Sequence, residues 1–316
     1  MRILIAFAAV YLIWGSTYLA IRFAIETIPP FLMAGIRFLS AGGMLYAWAR
    51  WRGAEKPTAV HWRSATVIGV LLLLLGNGGV TWAELFVPSG IAALMVATTP
   101  LWIVLLDWVW QGGHRPSMRT SIGLLVGFIG ILVLIGPNNL LQGHGLHPYG
   151  VVAMLIASVA WAAGSLHSRR APLPQSPLLA TGMEMLCGGV LLLLAGLLTG
   201  EMDNFHFAAI SARSLFSLFY LIVFGAVIGF TAFVWLLRVT TPARVSTYAY
   251  VNPMIAIFLG WALAGETLTR QTLFAAAIIV VAVILIVTSP APQQRPVAAR
   301  KQEEPEKLEA LCLEEA

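Results

Sequence analysis

Residues 65–110 read ATVIGVLLLLLGNGGVTWAELFVPSGIAALMVATTPLWIVLLDWVW. Only two carboxylates, Glu84 and Asp107, and no lysine or arginine interrupt these 46 residues. A helix needs about 20 mostly apolar residues to cross the hydrocarbon core of a bilayer. Two runs of that length, 65–86 and 89–110, stand back to back here with Pro88 between them. This is the pattern of two membrane spans joined by a tight turn.

The same pattern continues in both directions. Ten runs approach spanning length: 3–22, 31–50, 65–86, 89–110, 118–136, 148–167, 177–199, 214–236, 244–264 and 271–289. Breakers separate most of them, among them Pro29-Pro30, Gly136-Pro137 and Pro242. Of the 316 residues, 59% are hydrophobic and 10% charged, and ten of the charges sit in the tail beyond residue 289. A soluble domain carries about 25% charged residues. That leaves too little polar surface for a water-soluble globule. The composition excludes a soluble enzyme, a nucleic-acid binder and a secreted disulfide scaffold. The two cysteines, Cys187 and Cys312, form no framework and read as free thiols. Residues 1–24 resemble a signal peptide without a small-residue cleavage site, and read as the first span.

The net charge of +5 fits cytoplasmic loops rather than a nucleic-acid footprint. With an even number of spans and a cytoplasmic N-terminus, one side holds Arg2, Arg50, Arg52, Lys56, Arg63, Arg115, Arg119, Arg169, Arg170, Arg238 and Arg244. The other holds only Arg22, Arg213 and Arg270. This bias favours ten spans with both termini in the cytoplasm. The membrane domain covers 1–289, and the Pro-, Lys- and Glu-rich segment 290–316 reads as a disordered cytoplasmic tail.

Displaced by 147 residues, the chain lays Trp14 on Trp161, Gly35 on Gly182, Leu39 on Leu186 and Gly42 on Gly189. Displaced by 153, Gly76 meets Gly229 and Trp82 meets Trp235. The halves, 1–137 and 147–289, hold five runs each. An odd number of spans makes the second half enter the membrane from the opposite side. The expected fold is therefore all-α: an integral membrane protein of ten transmembrane helices in two inverted five-helix repeats. Inverted repeats place a binding site near the midplane, where the halves meet.

Ionisable groups within spans are expensive and must face protein or water. Four fall inside runs: Arg37, Glu84, Asp107 and Glu184. Arg37 lies about 9 Å inside the outer end of its span at 1.5 Å per residue, and Glu84 lies near the outer end of the next. They read as an outer gate, a substrate-charge site or a structural pair. Asp107 and Glu184 lie near the cytoplasmic face, within reach of headgroups. A second set is polar or aromatic: Trp14, Ser16, Thr17 and Tyr18 in the first span, Asn77 and Trp82 in the third, and Tyr248, Tyr250 and Asn252 before Pro253 in the ninth. Together with Pro100, these suggest a cavity lined by π faces, hydrogen-bonding groups and distorted backbone. Packing and an interfacial aromatic belt are the competing reading. Gly123, Gly127 and Gly130 fit close helix packing, within the chain or between subunits. His144 and His147 read as loop residues rather than a metal site.

The chain resembles the EamA family of the drug/metabolite transporter superfamily, and within it the YedA-type exporters. The resemblance rests on Ile13-Trp14-Gly15-Ser16-Thr17-Tyr18, Pro29-Pro30 with Arg37-Phe38-Leu39, Gly76-Asn77-Gly78 and Ala83-Glu84 with Val87-Pro88-Ser89-Gly90. It extends through Tyr248-Ala249-Tyr250-Val251-Asn252-Pro253 and Gly265-Glu266-Thr267-Leu268. It implies a ten-helix inner-membrane carrier exporting small metabolites, amino acids or drugs. The family's Gly-Glu pair is present after the ninth run. Its counterpart after the fourth, 111–116, lacks the glutamate.

The residues themselves support a secondary transporter without catalytic residues, metal or cofactor. Trp14, Ser16, Thr17, Tyr18, Asn77, Trp82, Tyr248, Tyr250 and Asn252 are expected to bind solute, with Arg37 and Glu84 as gate or proton-coupling groups. A small-molecule solute and the lipid bilayer are the expected partners. Nucleic acid is not, and the oligomeric state stays open. A membrane-embedded enzyme on lipid-linked substrates, or a passive channel or scramblase, is the alternative.

Overall fold

The computed structural model describes residues 2–110, 116–136, 147–203, 205–239 and 248–288. The Gln111–Arg115 segment, His144, Arg244 and the tail 290–316 lie outside the described residues. The described residues are helical apart from their connections, with no strand among them. The long helices are α1 (Arg2–Ala24), α2 (Pro30–Trp51), α3 (Ala59–Ala83), α4 (Ser89–Val96 continued by Thr99–Trp110), α5 (Met118–Ile135), α6 (Pro148–Ser168), α7 (Pro177–Leu198), α8 (residues 212–239), α9 (Tyr248–Ala264) and α10 (Arg270–Val287). Among the described residues, nine helices are long and apolar enough to cross a membrane. The remaining one, α9, has 17 residues and starts at the edge of a described stretch.

Local chemistry sets the helix ends. Pro30, Pro148 and Pro177 open α2, α6 and α7, where a missing N–H costs nothing. Side chains of Thr58, Ser117, Ser211 and Thr269 cap α3, α5, α8 and α10. In α4, Pro100 interrupts the hydrogen-bond ladder. The Thr98 and Thr99 hydroxyls donate to the carbonyls of Met95 and Val96, each at 2.6 Å, and so satisfy acceptors at the break. In α3 the stretch Gly69–Gly78, with Gly76-Asn77-Gly78 at its end, winds as a wider π-helix, and Leu221–Ile228 does the same in α8. At Gly-Asn-Gly the helix thus widens without breaking.

Small residues decide which helices touch. Gly42 of α2 faces the Gly182 carbonyl and Met185 of α7, while Gly35 faces Leu193 and Gly189 faces Leu39. Numbers rise along one helix as they fall along the other, so α2 and α7 run antiparallel. In the same way Gly123 and Gly130 of α5 face Ile286 and Ile279 of α10, and Gly127 faces Leu101 of α4. These α5 glycines thus serve packing within the chain. Around these pairs, α1 packs on α8 and α9, and α6 packs on α3 and α4.

Candidate functional site: a cavity between the halves

A cavity of about 350 Å³ opens between the helices, with walls from α1, α2, α3, α4, α6, α8, α9 and α10. Its volume is at the small end of ligand pockets. One end is bounded by Ile21, Arg37, Val80 and Ala93; the other reaches Arg169, Ile286 and Val287, where α6 and α10 finish. Arg169 is exposed, which marks that end as the mouth.

Trp14 is the centre of the aromatic wall. Its ring meets Phe230, Phe233 and Tyr248 at centroid distances of 5.3, 5.1 and 5.2 Å. Its Nε1 donates to the Gly225 carbonyl at 3.1 Å. The π-turn in α8 accounts for this bond, because shifting from α to π pairing leaves a carbonyl short of an amide donor. Trp161 of α6 stands against Gly76, at the end of the other π-helix, and also lines the cavity. Trp14 and Trp161, which coincide when the sequence is displaced by 147 residues, thus stand against Gly229 and Gly76 respectively.

Thr17, Tyr18, Asn77, Tyr248 and Asn252 line the same chamber, as does Arg37. Thr17 donates its hydroxyl to the Trp14 carbonyl at 2.7 Å. The Asn252 amide, oriented so that its nitrogen donates, reaches the carbonyls of Tyr248 at 3.3 Å and Tyr11 at 3.2 Å. Pro253 beside it is accommodated inside α9. Two expected residues stand elsewhere. Ser16 is on the opposite side of α1, sharing a 2.7 Å hydrogen bond with the Tyr220 hydroxyl. Trp82 packs on Phe86 at 4.9 Å, away from the cavity. The Tyr250 side chain lies outside the described residues.

Glu84 is fully buried but does not line the cavity, and neither carboxylate oxygen has a hydrogen-bond partner among the described residues. Arg37 is 5% exposed, and its Nε is likewise unpartnered. The two form no ion pair with each other. Arg22 donates instead to the Glu84 backbone carbonyl at 2.6 Å. The charges that face Glu84 come from Arg22, Arg37 and Glu266.

The end opposite the mouth is tied across the halves. Gly265, with φ +66°, turns the chain out of α9 so that Glu266 points back at α4. Its Oε1 accepts from the amide and the hydroxyl of Ser89, both at 2.7 Å, and its Oε2 from the Gly90 amide at 3.1 Å. Glu201, just beyond α7, does the same for α2, accepting from the amides of Phe31 and Leu32 at 3.1 and 2.9 Å. Both helices begin after a proline that offers no side-chain cap. A carboxylate there satisfies orphan amides and meets the positive end of the helix dipole. Partial burial nonetheless holds the Glu201 carboxyl above its ordinary range. Ser214 adds a bond from its hydroxyl to the Phe23 carbonyl at 2.8 Å, and Arg213 an ion pair with Glu26 at 3.3 Å.

Trp161, Ser165, Arg169 and Phe230 are cavity residues not among the expected site residues. The repeat alignment of Trp14 with Trp161 was the available signal for the first of them. The described residues contain no cluster of three or more metal-ligating side chains. The cavity wall offers binding groups, without a paired acid and base around a nucleophile.

Comparison with known proteins agrees with this arrangement. The chain is 41% identical over 266 residues to the uncharacterized inner membrane transporter YedA of Escherichia coli (strain K12), covering 84% of each chain. It is 26% identical over 272 residues to the uncharacterized transporter YvbV of Bacillus subtilis (strain 168), covering 86% of this chain and 87% of that one. A protein crystal structure superposes with a TM-score of 0.61 at 22% identity, over 90% of this chain and 96% of its own, a likeness of fold. Residues 1–136 and 148–288 each match the EamA-like transporter family, and the chain, a multi-pass membrane protein, belongs to that family.

Proposed function

We propose that this transporter is a secondary carrier of the inner membrane that exports a small amphipathic solute, a metabolite, amino acid or drug, by alternating access. The observation that carries the reading is a cavity walled by helices of both halves, with exposed Arg169 at one end and carboxylate ties between helices at the other. An inward-facing state has this form if the mouth is cytoplasmic, the side to which Arg169 and Arg170 belong by the charge bias. The antiparallel packing of α2 on α7 and of α5 on α10, and the two separate family matches, support ten spans in two inverted repeats, with α9 as the tenth. Trp14, Tyr18 and Tyr248 supply π and apolar contact; Thr17, Asn77 and Asn252 supply hydrogen bonds. Glu84 couples transport to protons. A buried carboxylate without partners changes protonation at modest cost when a neighbouring charge or water access changes.

The test is solute counterflow in proteoliposomes, with and without a pH gradient. Saturable uptake of labelled solute, accelerated by unlabelled solute inside, is expected for a carrier. Flux that is linear in concentration and indifferent to opposing solute means a channel. Glu84→Gln is expected to keep counterflow while losing the drive from the pH gradient.

A further inference from the structure

The charge inside the cavity is one-sided. Arg37 lies at its closed end, 5% exposed, and Arg169 stands at its mouth. No aspartate or glutamate is among the residues that line it. Asp107, Glu184 and Glu84, the carboxylates within spans, are not in its wall. The Arg37 guanidinium forms no ion pair among the described residues. The Phe38 ring, 4.8 Å from its Cζ, is a weak substitute for an anion. Glu84 is the carboxylate that faces Arg37, but it makes no ion pair with it. A buried guanidinium left unpaired is costly, and that cost falls when a ligand brings a charge into contact with it. Between the two arginines the wall is mainly aromatic and aliphatic, with Trp14, Trp161 and Phe230 on it beside the uncharged polar groups of Thr17, Asn77 and Asn252.

From this we infer that the cavity is a site for an organic monoanion: a carboxylate that meets Arg37, carried on a flat apolar body that lies against Trp14 and Trp161. Arg169 draws the anion into the mouth. An arginine fork matches a carboxylate in geometry as well as charge. A zwitterion is disfavoured, because its ammonium finds π faces but no carboxylate, and shares the chamber with two like charges. This deepens the carrier reading and rests on it only for the claim that the bound anion is moved.

The test uses the full chain in phosphatidylcholine nanodiscs and one ring with three charge states: phenylacetate, phenylalanine and phenethylamine. Binding is followed by calorimetry and tryptophan emission, and counterflow is measured separately in proteoliposomes. Phenylacetate is expected to bind at least about tenfold more tightly than the other two. Arg37→Gln should weaken phenylacetate about ten- to hundredfold, the usual loss for a buried charged hydrogen bond, and level the series. Arg37→Lys, which keeps the charge without the fork, should fall between. Arg169→Gln, at an exposed position where the fold does not depend on it, should cost about threefold and remove the salt dependence. The inference is overturned if phenylalanine or phenethylamine binds as well as phenylacetate, if none of the three binds, or if folded Arg37→Gln keeps the preference. Arg37-dependent phenylacetate binding without counterflow leaves the anion site standing and overturns the carrier. Counterflow of phenylalanine that ignores Arg37 does the reverse.

Discussion

The Trp14 ring fills the space that a side chain at position 229 would need, and its Nε1 is what a Cβ there would strike. The indole, its bond to the Gly225 carbonyl and the two α8 glycines thus form one packed unit. Gly229→Ala should cost about 1–3 kcal/mol of stability through overpacking, and weaken solute binding by pushing the ring toward the cavity. Gly43→Ala, where the added methyl would meet nothing within 4 Å, is the control and should be neutral or slightly stabilising. Thermal unfolding in nanodiscs followed by tryptophan emission checks both; equal midpoints would remove the unit. Sequence reading reached Trp14 from its depth in the first run, but it could not separate Thr17 from Ser16, one residue apart. In a span whose every side is apolar, periodicity does not say which side faces the cavity. For the same reason the sequence does not show that Trp82 lies off the wall of this cavity. Arg169 was visible only as a topology marker, since a charge at a span end satisfies the bias rule whether or not a cavity opens beside it.

Among the elements, the runs were legible because bilayer thickness fixes their length and proline marks their ends. The π-turns of α3 and α8 were not, since an apolar Gly-rich stretch has the same composition in either winding. Nor were the two carboxylate caps, which join positions 177 residues apart in Glu266–Ser89 and 170 apart in Glu201–Phe31. Glu266→Ala leaves the amides of Ser89 and Gly90 without their acceptor at the start of α4. It should destabilise by about 2–4 kcal/mol, given about 1.5–3 per hydrogen bond to a charged group and partial replacement by water. Glu266→Gln, which keeps one acceptor oxygen, should lose less than half of that. Glu201 adds a pH dependence whose sign follows from its burial. Its carboxyl binds a proton more tightly in the folded chain than in the unfolded one, so its contribution is fully present below the ordinary value of 4.5 and is lost as pH rises through the folded value. Glu201→Gln should flatten that part of the stability profile, and an unchanged slope across the weakly acidic range would show that another group carries it.

For the whole molecule, the proposed alternation between two states would turn on the uneven distribution of ties. The closed end is held by Glu266 on α4, Glu201 on α2, Arg22 on the Glu84 carbonyl and the α1–α8 contacts of Ser214 and Arg213. The described contacts at the mouth include Arg119 with Thr288, which joins α5 to α10 rather than closing the cavity. Opening the closed end means giving up these bonds, so each one biases the molecule toward the state seen here, and removing one shifts the population without touching the cavity. Cysteine labelling measures this directly in a background with Cys187 and Cys312 replaced by serine. A Ser165→Cys thiol near the mouth should react with a charged methanethiosulfonate reagent from the side on which α6 ends. An Ile21→Cys thiol at the closed end, where Ile21 is 3% exposed, should be protected from the other side. Adding Glu266→Gln should raise the Ile21→Cys rate from that other side about tenfold, the shift expected from losing roughly one charged hydrogen bond, and lower the Ser165→Cys rate to the extent that the population of the state seen here falls. The reciprocal change is the informative part. If both thiols become more reactive, Glu266 holds the fold together and local unfolding explains the result. If neither changes, the cap is structural, and the step that limits opening lies in the α1–α8 contacts instead.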